Sequence, residues 1–363
     1  MDELLRARQQ INEIDEEMAR LFCKRMKASE LVAHFKKENG LLVLDEKREK
    51  EVIERNSSRI EDEKLRSYYI SFLKNLMSLS KNYQQLILEG MKIGYSGVAG
   101  AFGHIAAQRI FPNGNAVAYE DFDLAYKAVE NGECDCCVLP IENSFAGEVG
   151  QTIDLIFSGE LFINGIYELE IHQNLLGTPD ATVEDIRKVT SHPQALSQCH
   201  EYIKMRGFET EEANNTALAA KTVAKSKDKS LGAIASVETA EIYGLKILEA
   251  NINKSGENTT RFAVLSKTRA ASPSLSSSVL MFTVKNEAGS LAKALDIIGA
   301  YGFNMRTLRS RSMKKLLWQY YFYVEAEGDI YGEEGQKCLE ELKTCCDKIK
   351  VVGSYNNLYS QEV

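Results

Sequence analysis

Proline is absent from the first 89 residues of this 363-residue chain, and glycine occurs there once, at Gly40. These are the two residues that most strongly oppose helix interiors, so their scarcity excludes a turn-rich N-terminal segment and points to helices. No apolar run approaches the ~20 residues that a membrane-spanning helix requires. The N-terminus is charged, so neither a span nor a secretory leader is expected, and the cytoplasm is the expected location. A basic excess is also missing: the formal net charge is −8. Affinity for phosphate backbones comes from clustered Lys and Arg, so a general nucleic-acid binder is excluded, and any anionic ligand must meet local cationic sites. Eight cysteines without a leader fit reduced thiols better than a disulfide framework. "CDCC" at 134–137 has C-x-x-C spacing but runs into "VLPIEN" like a buried strand, with no histidine at metal-ligand spacing nearby, so these are read as core cysteines.

What is present divides the chain. A composition of 44% hydrophobic and 26% charged residues is ordinary for a globular protein, and the length suggests two or three domains. Within residues 1–89, apolar positions recur at helical spacing (Ile11, Ile14, Met18, Leu21; later Tyr69, Phe72, Leu76, Leu79, Tyr83), which predicts three helices: one to about 38, one from about 45, and one over about 62–88. From 91 to 266 short strand-like runs alternate with helical stretches, the α/β signature. The Ser-rich stretch 267–278 reads as a linker, and 279–363 runs strand, helix, two strands, helix, strand, a βαββαβ order of ferredoxin-like type.

Polar residues that interrupt the apolar periods of the helical segment are its informative exceptions: Arg8, Arg25, Lys36, Asp45, Arg48, Glu49, Ser80 and Gln84. Lys36 lies eleven residues beyond Arg25, close to three turns, and Gln84 is four beyond Ser80. Taken singly, each is an ordinary solvated position. Together, with "DEKRE" at 45–49 and "SKNYQ" at 80–84, they resemble the all-helical class of chorismate mutase. The resemblance assigns carboxylate binding to Arg8 and Arg25, the ether oxygen to Lys36 and Gln84, and the ring-hydroxyl side to Glu49, with Asp45, Arg48 and Ser80 completing the wall. Chorismate rearranges by an internal electron shift, so a protein need only fold it and stabilise the breaking ether. Guanidinium forks suit its two carboxylates. On a continuous helix, seventeen residues place Arg8 and Arg25 about 25 Å and roughly 100° apart. Arg8 is therefore expected from a second protomer, with a homodimer formed through the helical segment.

The stretch "GYSGVAGAFGH" at 94–104 has a glycine at every third position. Neither the dinucleotide spacing nor the P-loop spacing is present, so the remaining readings are a plain turn or a backbone cradle. "PIENSFAG", "SHPQALSQC", "NNTALAA" and "NTTRF" lie between strands and helices further on, and the set resembles prephenate dehydratase. That implies two α/β lobes of periplasmic-binding type with the substrate between them. Thr260 matches the family's proton donor, and Asn143 and Gln198 its substrate site. Glu142, Ser144, Ser191, His192, Thr216, Arg261 and Phe262 are further substrate-binding candidates. Strand alternation sets Thr260 and Phe262 on one face and Arg261 on the other, which leaves a structural role open for Arg261. Where the family usually carries hydroxyl residues around the aromatic of the glycine turn, this chain has Ala101, Phe102 and Gly103. Contacts there would come from backbone N–H groups at a helix start.

The C-terminal segment resembles the ACT regulatory domain, which implies phenylalanine as effector at a dimer interface. The family's G-A-L stands here as Gly289, Ser290, Leu291, and its E-S-R-P as Arg309, Ser310, Arg311, Ser312. The expected architecture is therefore multidomain: an all-α mutase domain, a two-lobed α/β dehydratase domain and an α+β ACT domain. The resemblance implies a bifunctional enzyme converting chorismate to prephenate and prephenate to phenylpyruvate, with no cofactor and no metal. The rivals are a non-catalytic aromatic-metabolite sensor and a chain retaining only one of the two activities.

Overall fold

The computed structural model describes residues 2–38, 46–253, 258–269, 276–312 and 320–358. Asp45 and residues 270–275 of the expected linker lie outside them. The chain forms two compact units, Met1–Met91 and Lys92–Val363.

The first unit is three helices, α1 (Asp2–Glu38), α2 (Glu46–Ser57) and α3 (Glu63–Glu89). With no Gly or Pro to interrupt it, α1 runs unbroken for 37 residues, about 55 Å. Asp62 caps α3, its carboxylate accepting from the N–H groups of Lys64 (2.8 Å) and Leu65 (3.3 Å), and Gly90 at φ 76° ends it. Ala33, Leu73 and Met77 are buried where α1 meets α3, whereas Leu5, Ile11, Ile14, Met18 and Leu21 on the first half of α1 are 45–60% exposed.

The second unit opens with a lobe of alternating elements: β1 (Lys92–Ser96), α4 (Phe102–Ile110), β2 (Asn115–Tyr119), α5 (Phe122–Glu130), β3 (Cys136–Asn143), β4 (Gly147–Glu148), α6 (Gly150–Ser158) and β5 (Phe162–Glu170). The chain then crosses to a second lobe of β6 (Asn174–Gly177), β7 (Lys188–Ser191), α7 (Pro193–Gln198), α8 (His200–Arg206), β8 (Glu209–Glu212), α9 (Thr216–Ser226), β9 (Leu231–Ala235), α10 (Val237–Tyr243) and β10 (Lys246–Glu249). It returns through β11 (Thr259–Ser266) to the first sheet, where these strands are ordered β5-β11-β3-β1-β2, while the second lobe's sheet is ordered β10-β6-β9-β7-β8. Two crossings thus join two lobes.

A third sheet follows, from β12 (Ser277–Val284), α11 (Ser290–Ala300), β13 (Asn304–Ser312), β14 (Tyr320–Glu327), α12 (Glu333–Leu342) and β15 (Cys346–Tyr355), with the short β16 (Asn357–Leu358) returning to pair with β5. Its βαββαβ order is the one expected. It is not a separate body, however. Alternation sends Leu280 and Phe282 to a core with α11 and α12, and Val279, Met281, Tyr321 and Tyr323 to a core shared with Leu139, Ile141, Ala263 and Leu265 of the first lobe. Each such fully buried side chain contributes about 1.5–3 kcal/mol. Lys350 on β15 donates to the carbonyls of Ile156 (2.5 Å) and Gly159 at the C-terminal end of α6, where a cation offsets the helix dipole.

The two sheets come close at Gly353, where a Cβ would lie 2.1 Å from the carbonyl oxygen of Ile163. Backbone cannot yield as a side chain can. Gly353→Ala is expected to destabilise this unit by about 1–3 kcal/mol, the range for overpacking, read as a lowered denaturant midpoint. An unchanged midpoint would contradict the close approach.

Candidate active sites

In the helical unit, the guanidinium of Arg25 on α1 donates to Ser80 Oγ and, at 3.4 Å, to the Leu76 carbonyl on α3. Burial holds its pKa below the ordinary arginine value. Ser80 and Gln84, one turn apart on α3, are buried, and Gln84 Oε1 has no hydrogen-bond partner among the described residues. An unmet buried amide oxygen costs about 1–3 kcal/mol, which a ligand would recover. Lys36 is half-buried, and Glu49 pairs with Lys81 at 2.8 Å, a contact the spacing did not suggest. Arg48 faces Glu51 at 3.5 Å on the solvent side. The structure therefore gathers Arg25, Ser80 and Gln84. It leaves Arg8 exposed, seventeen residues up the same unbroken helix.

In the second unit, a cavity of about 330 Å³ lies between the lobes at the carboxyl ends of their parallel strands, where Ser96 ends β1, Asn143 ends β3 and His192 follows β7. This is where open α/β sheets bind ligands. The starts of four helices line it: Ala101, Phe102 and Gly103 of α4, Val149 of α6, His192 and Gln194 of α7, Asn215 and Thr216 of α9. Among the described residues no Lys or Arg does. A carboxylate entering it would meet helix N-termini and neutral amides rather than cations. Phe102, Phe122, Val138, Pro140 and Phe262 form an apolar wall.

Asn143 organises the polar side. Its Nδ2 donates to Thr260 Oγ1 (2.9 Å) and Asn258 Oδ1 (2.9 Å), while its Oδ1 accepts from Ala146 N–H (2.9 Å) and from Gln194 Nε2 (3.0 Å) of the opposite lobe. Asn258 in turn donates to Gln198 Oε1 at 3.0 Å. Because Thr260 Oγ1 accepts from Asn143, its own proton is left to donate into the cavity.

The glycine turn is fixed from within. Gly97 and Gly100 have φ of 105° and 86°, which side chains strongly disfavour. Gly97 N–H donates to the Tyr119 carbonyl (2.8 Å) and Gly100 N–H to His104 Nδ1 (3.1 Å). Across the cleft, Thr239 Oγ1 donates to the Gly100 carbonyl and Tyr243 to the Ala99 carbonyl, both at 2.8 Å. The turn serves as a latch between lobes and leaves only α4's first residues to the cavity.

Other expected residues take different places. His192 both lines the cavity and caps α7, its Nδ1 accepting from Gln194 N–H (3.2 Å). Ser191 is fully buried and donates to the Ile234 carbonyl (2.6 Å), and Ser144 accepts from Thr259 N–H (3.0 Å), so neither lines the cavity. Glu142 and Arg261 point to the opposite face of the sheet and pair there (3.2 Å). Gly289, at φ 84°, precedes α11, whose first residues are Ser290 and Leu291, and Ser310 is exposed on β13. Arg309, expected to contact an effector, donates to Glu142 and approaches Glu148 at 3.8 Å, both in the first lobe. Gln173 is a cavity residue that sequence reasoning missed. It is 2% exposed, its Oε1 is unpartnered among the described residues, and it sits on the crossing from β5 to β6. Nothing in the local sequence "EIHQNLL", where four of the seven residues are polar, singles it out. Cys134, Cys136 and Cys137 are buried and free, as the reading of core cysteines expects.

Burial lowers the pKa of both His104 and His192 below 6.5. An imidazole kept neutral in the fold takes up its proton more readily when unfolded, so the stability these rings contribute is full above pH ~6.5 and declines below it. Denaturant unfolding of the second unit is expected to give a lower midpoint near pH 5.5 than near pH 7.5, the interval in which histidine changes charge. In the His104→Gln/His192→Asn variant the difference should shrink. An equal slope in that variant would refute the assignment.

The sequence model of the chorismate mutase type II family matches residues 7–85, and that of the prephenate dehydratase family matches residues 93–270. A bifunctional chorismate mutase/prephenate dehydratase of Aquifex aeolicus is 32% identical over the full length of both chains. Among solved structures, one described as GqqA, a novel type of quorum quenching acylase, aligns with TM-score 0.68 at 30% identity, over 73% of this chain and 98% of its own. A prephenate dehydratase of Arthrobacter aurescens in complex with L-Phe aligns with TM-score 0.68 at 23% identity, over 73% and 90%, a likeness of fold. Among the described residues no helix is long and apolar enough to cross a membrane.

Proposed function

The chain belongs to the family of bifunctional chorismate mutase/prephenate dehydratases, and we propose that its two sites act in series as follows. The helical unit rearranges chorismate to prephenate, and the two-lobed unit converts prephenate to phenylpyruvate. In the first, Arg25 binds a carboxylate while Lys36 and Gln84 address the ether oxygen. The exposed apolar half of α1 supports dimerisation, which would bring the partner's Arg8 to the site. In the second, the dianion sits among the helix starts, and Thr260, oriented by Asn143, donates to the departing ring hydroxyl. The apolar wall receives the carboxylate that leaves as CO₂, since desolvation favours its neutral product.

The observation that carries this reading is the Asn143–Thr260 hydrogen bond, at 2.9 Å in a cavity lined by four helix starts. An amide-cleaving reading, after the acylase relative, lacks support there. Thr260 has amide neighbours rather than a base, and His192 Nδ1 is engaged with Gln194 N–H. The test is to give purified full-length protein chorismate and follow both products. Prephenate should appear first and phenylpyruvate after it. No turnover would favour the sensor. Phenylalanine is proposed as the effector of the C-terminal sheet, supported by the L-Phe complex of the Arthrobacter relative. Phenylpyruvate formation should fall with phenylalanine in the millimolar range, and a flat curve would remove the proposal.

A further inference from the structure

The face of β3 and β11 that turns away from the cavity carries a second set of paired residues, directly behind the first. Thr260 stands opposite Asn143, and Arg261 opposite Glu142. Successive side chains alternate between faces, so the pair that lines the cavity and the charged pair behind it are immediate chain neighbours. Arg261 meets Glu142 at 3.2 Å on one side and Glu168 of β5 at 3.5 Å on the other. From above, Glu325 of β14 closes on it with two bonds, 3.0 and 2.6 Å, in the bidentate geometry a guanidinium prefers. Glu325 is 3% exposed and also accepts from the Tyr355 hydroxyl at 3.0 Å. Burial alone would lower the pKa of Arg261, but the Glu325 fork reverses this and keeps it charged.

The grip falls where the pairing is irregular. The β3–β11 register shifts between Arg261 and Phe262, Ile141 being the extra residue on β3. Backbone hydrogen bonds alone specify position poorly at such a bulge. A second arginine adds to the hold, since Arg309 of β13 binds Glu142 and also approaches Glu148 at 3.8 Å, the residue before Val149 in the cavity wall.

Resting on the dehydratase reading above, we infer that Arg261 is a positioning residue, and that Glu325 of the C-terminal sheet holds it so that Thr260 and Asn143 keep their alignment in the cavity. The C-terminal sheet is then part of the dehydratase machinery in the absence of any effector. Arg261, expected from the resemblance to bind substrate, acts from behind the strand.

The test compares wild type, Glu325→Gln, Thr260→Ala and the double variant of full-length protein, with prephenate as substrate and no phenylalanine present. Glu325→Gln keeps the shape but removes the charge and turns one accepting oxygen of the fork into an N–H donor. It is expected to lower kcat by roughly 10- to 100-fold with KM changed less than about threefold, the pattern of an interaction that matters in the transition state. In the Thr260→Ala background it should lower the residual rate no further, because its action runs through Thr260. Should Glu325→Gln fold poorly, Arg261→Lys, which keeps the charge and loses the fork, must give the same split. A wild-type kcat in either variant, or a loss that adds fully to that of Thr260→Ala, would overturn the inference. Wild type that turns over no prephenate would instead overturn the dehydratase reading, and this inference with it.

Discussion

Thr260→Ala is expected to lower prephenate dehydration by roughly 10² to 10⁴, the range for loss of a positioned proton donor, while the same preparation keeps its mutase rate. A threonine hydroxyl is a weak acid, so its usefulness depends on what holds it. Asn143 Nδ2 donates to Thr260 Oγ1 at 2.9 Å, and the Oδ1 of the same amide is fixed by Ala146 N–H and by Gln194 from the facing lobe. The hydroxyl proton is then free to donate into the cavity that Thr260 lines. Thr260→Ser should therefore recover much of the rate, since it keeps the hydroxyl. Separate kcat and KM values decide the matter: a loss confined to KM would mean that Thr260 only binds.

Arg25→Ala should have the complementary effect, lowering mutase turnover roughly 10²-fold or more, since hydrogen bonds to a charged group are worth about 1.5–3 kcal/mol each. Dehydration of added prephenate should be unaffected. Arg25 anchors α1 to α3 through Ser80 and Leu76, so helix content must be measured beside the rate. The unbroken α1 makes a sharper test possible. Arg8→Ala and Arg25→Ala subunits, each inactive as mutase alone, are expected to regain about one quarter of the wild-type rate when unfolded and refolded together at equal amounts. Half of the dimers would be hybrids, and one of the two sites in each hybrid would carry neither lesion. No recovery on mixing would place Arg8 outside the site.

The sequence carried most of the local structure because local physics determined it. The missing prolines and glycines of residues 1–89 mark three helices, and alternation along "TTRF" separates Thr260 and Phe262 from Arg261. The register shift beside Phe262 did not upset that reading, because the extra residue lies on β3 and β11 stays in regular register with β5 from Thr259 to Val264. What escaped was long-range. Nothing near Arg261 in the chain announces Glu325, sixty-four residues away on another sheet. Nothing in the motif around Arg309 announces its pairing with Glu142, which depends on how two sheets stack. Gln173 was hidden for a related reason. One polar residue among the several of "EIHQNLL" stands out only once the crossing between lobes has placed it against a cavity.

The lack of a cation among the described residues of the cavity lining bears on the end of the catalytic cycle. Prephenate enters with two negative charges and phenylpyruvate leaves with one, the other carboxylate having departed as neutral CO₂. Among the described residues, helix starts and amides supply all the attraction the lining offers. Attraction to a field of partial charges falls with the charge it acts on, so turnover itself loosens the grip on what remains. An arginine fork on the surviving carboxylate would keep both of its hydrogen bonds through turnover. A dipole-lined cleft discharges its product, and its affinity for prephenate should depend on ionic strength far less than that of the mutase site, which uses a guanidinium.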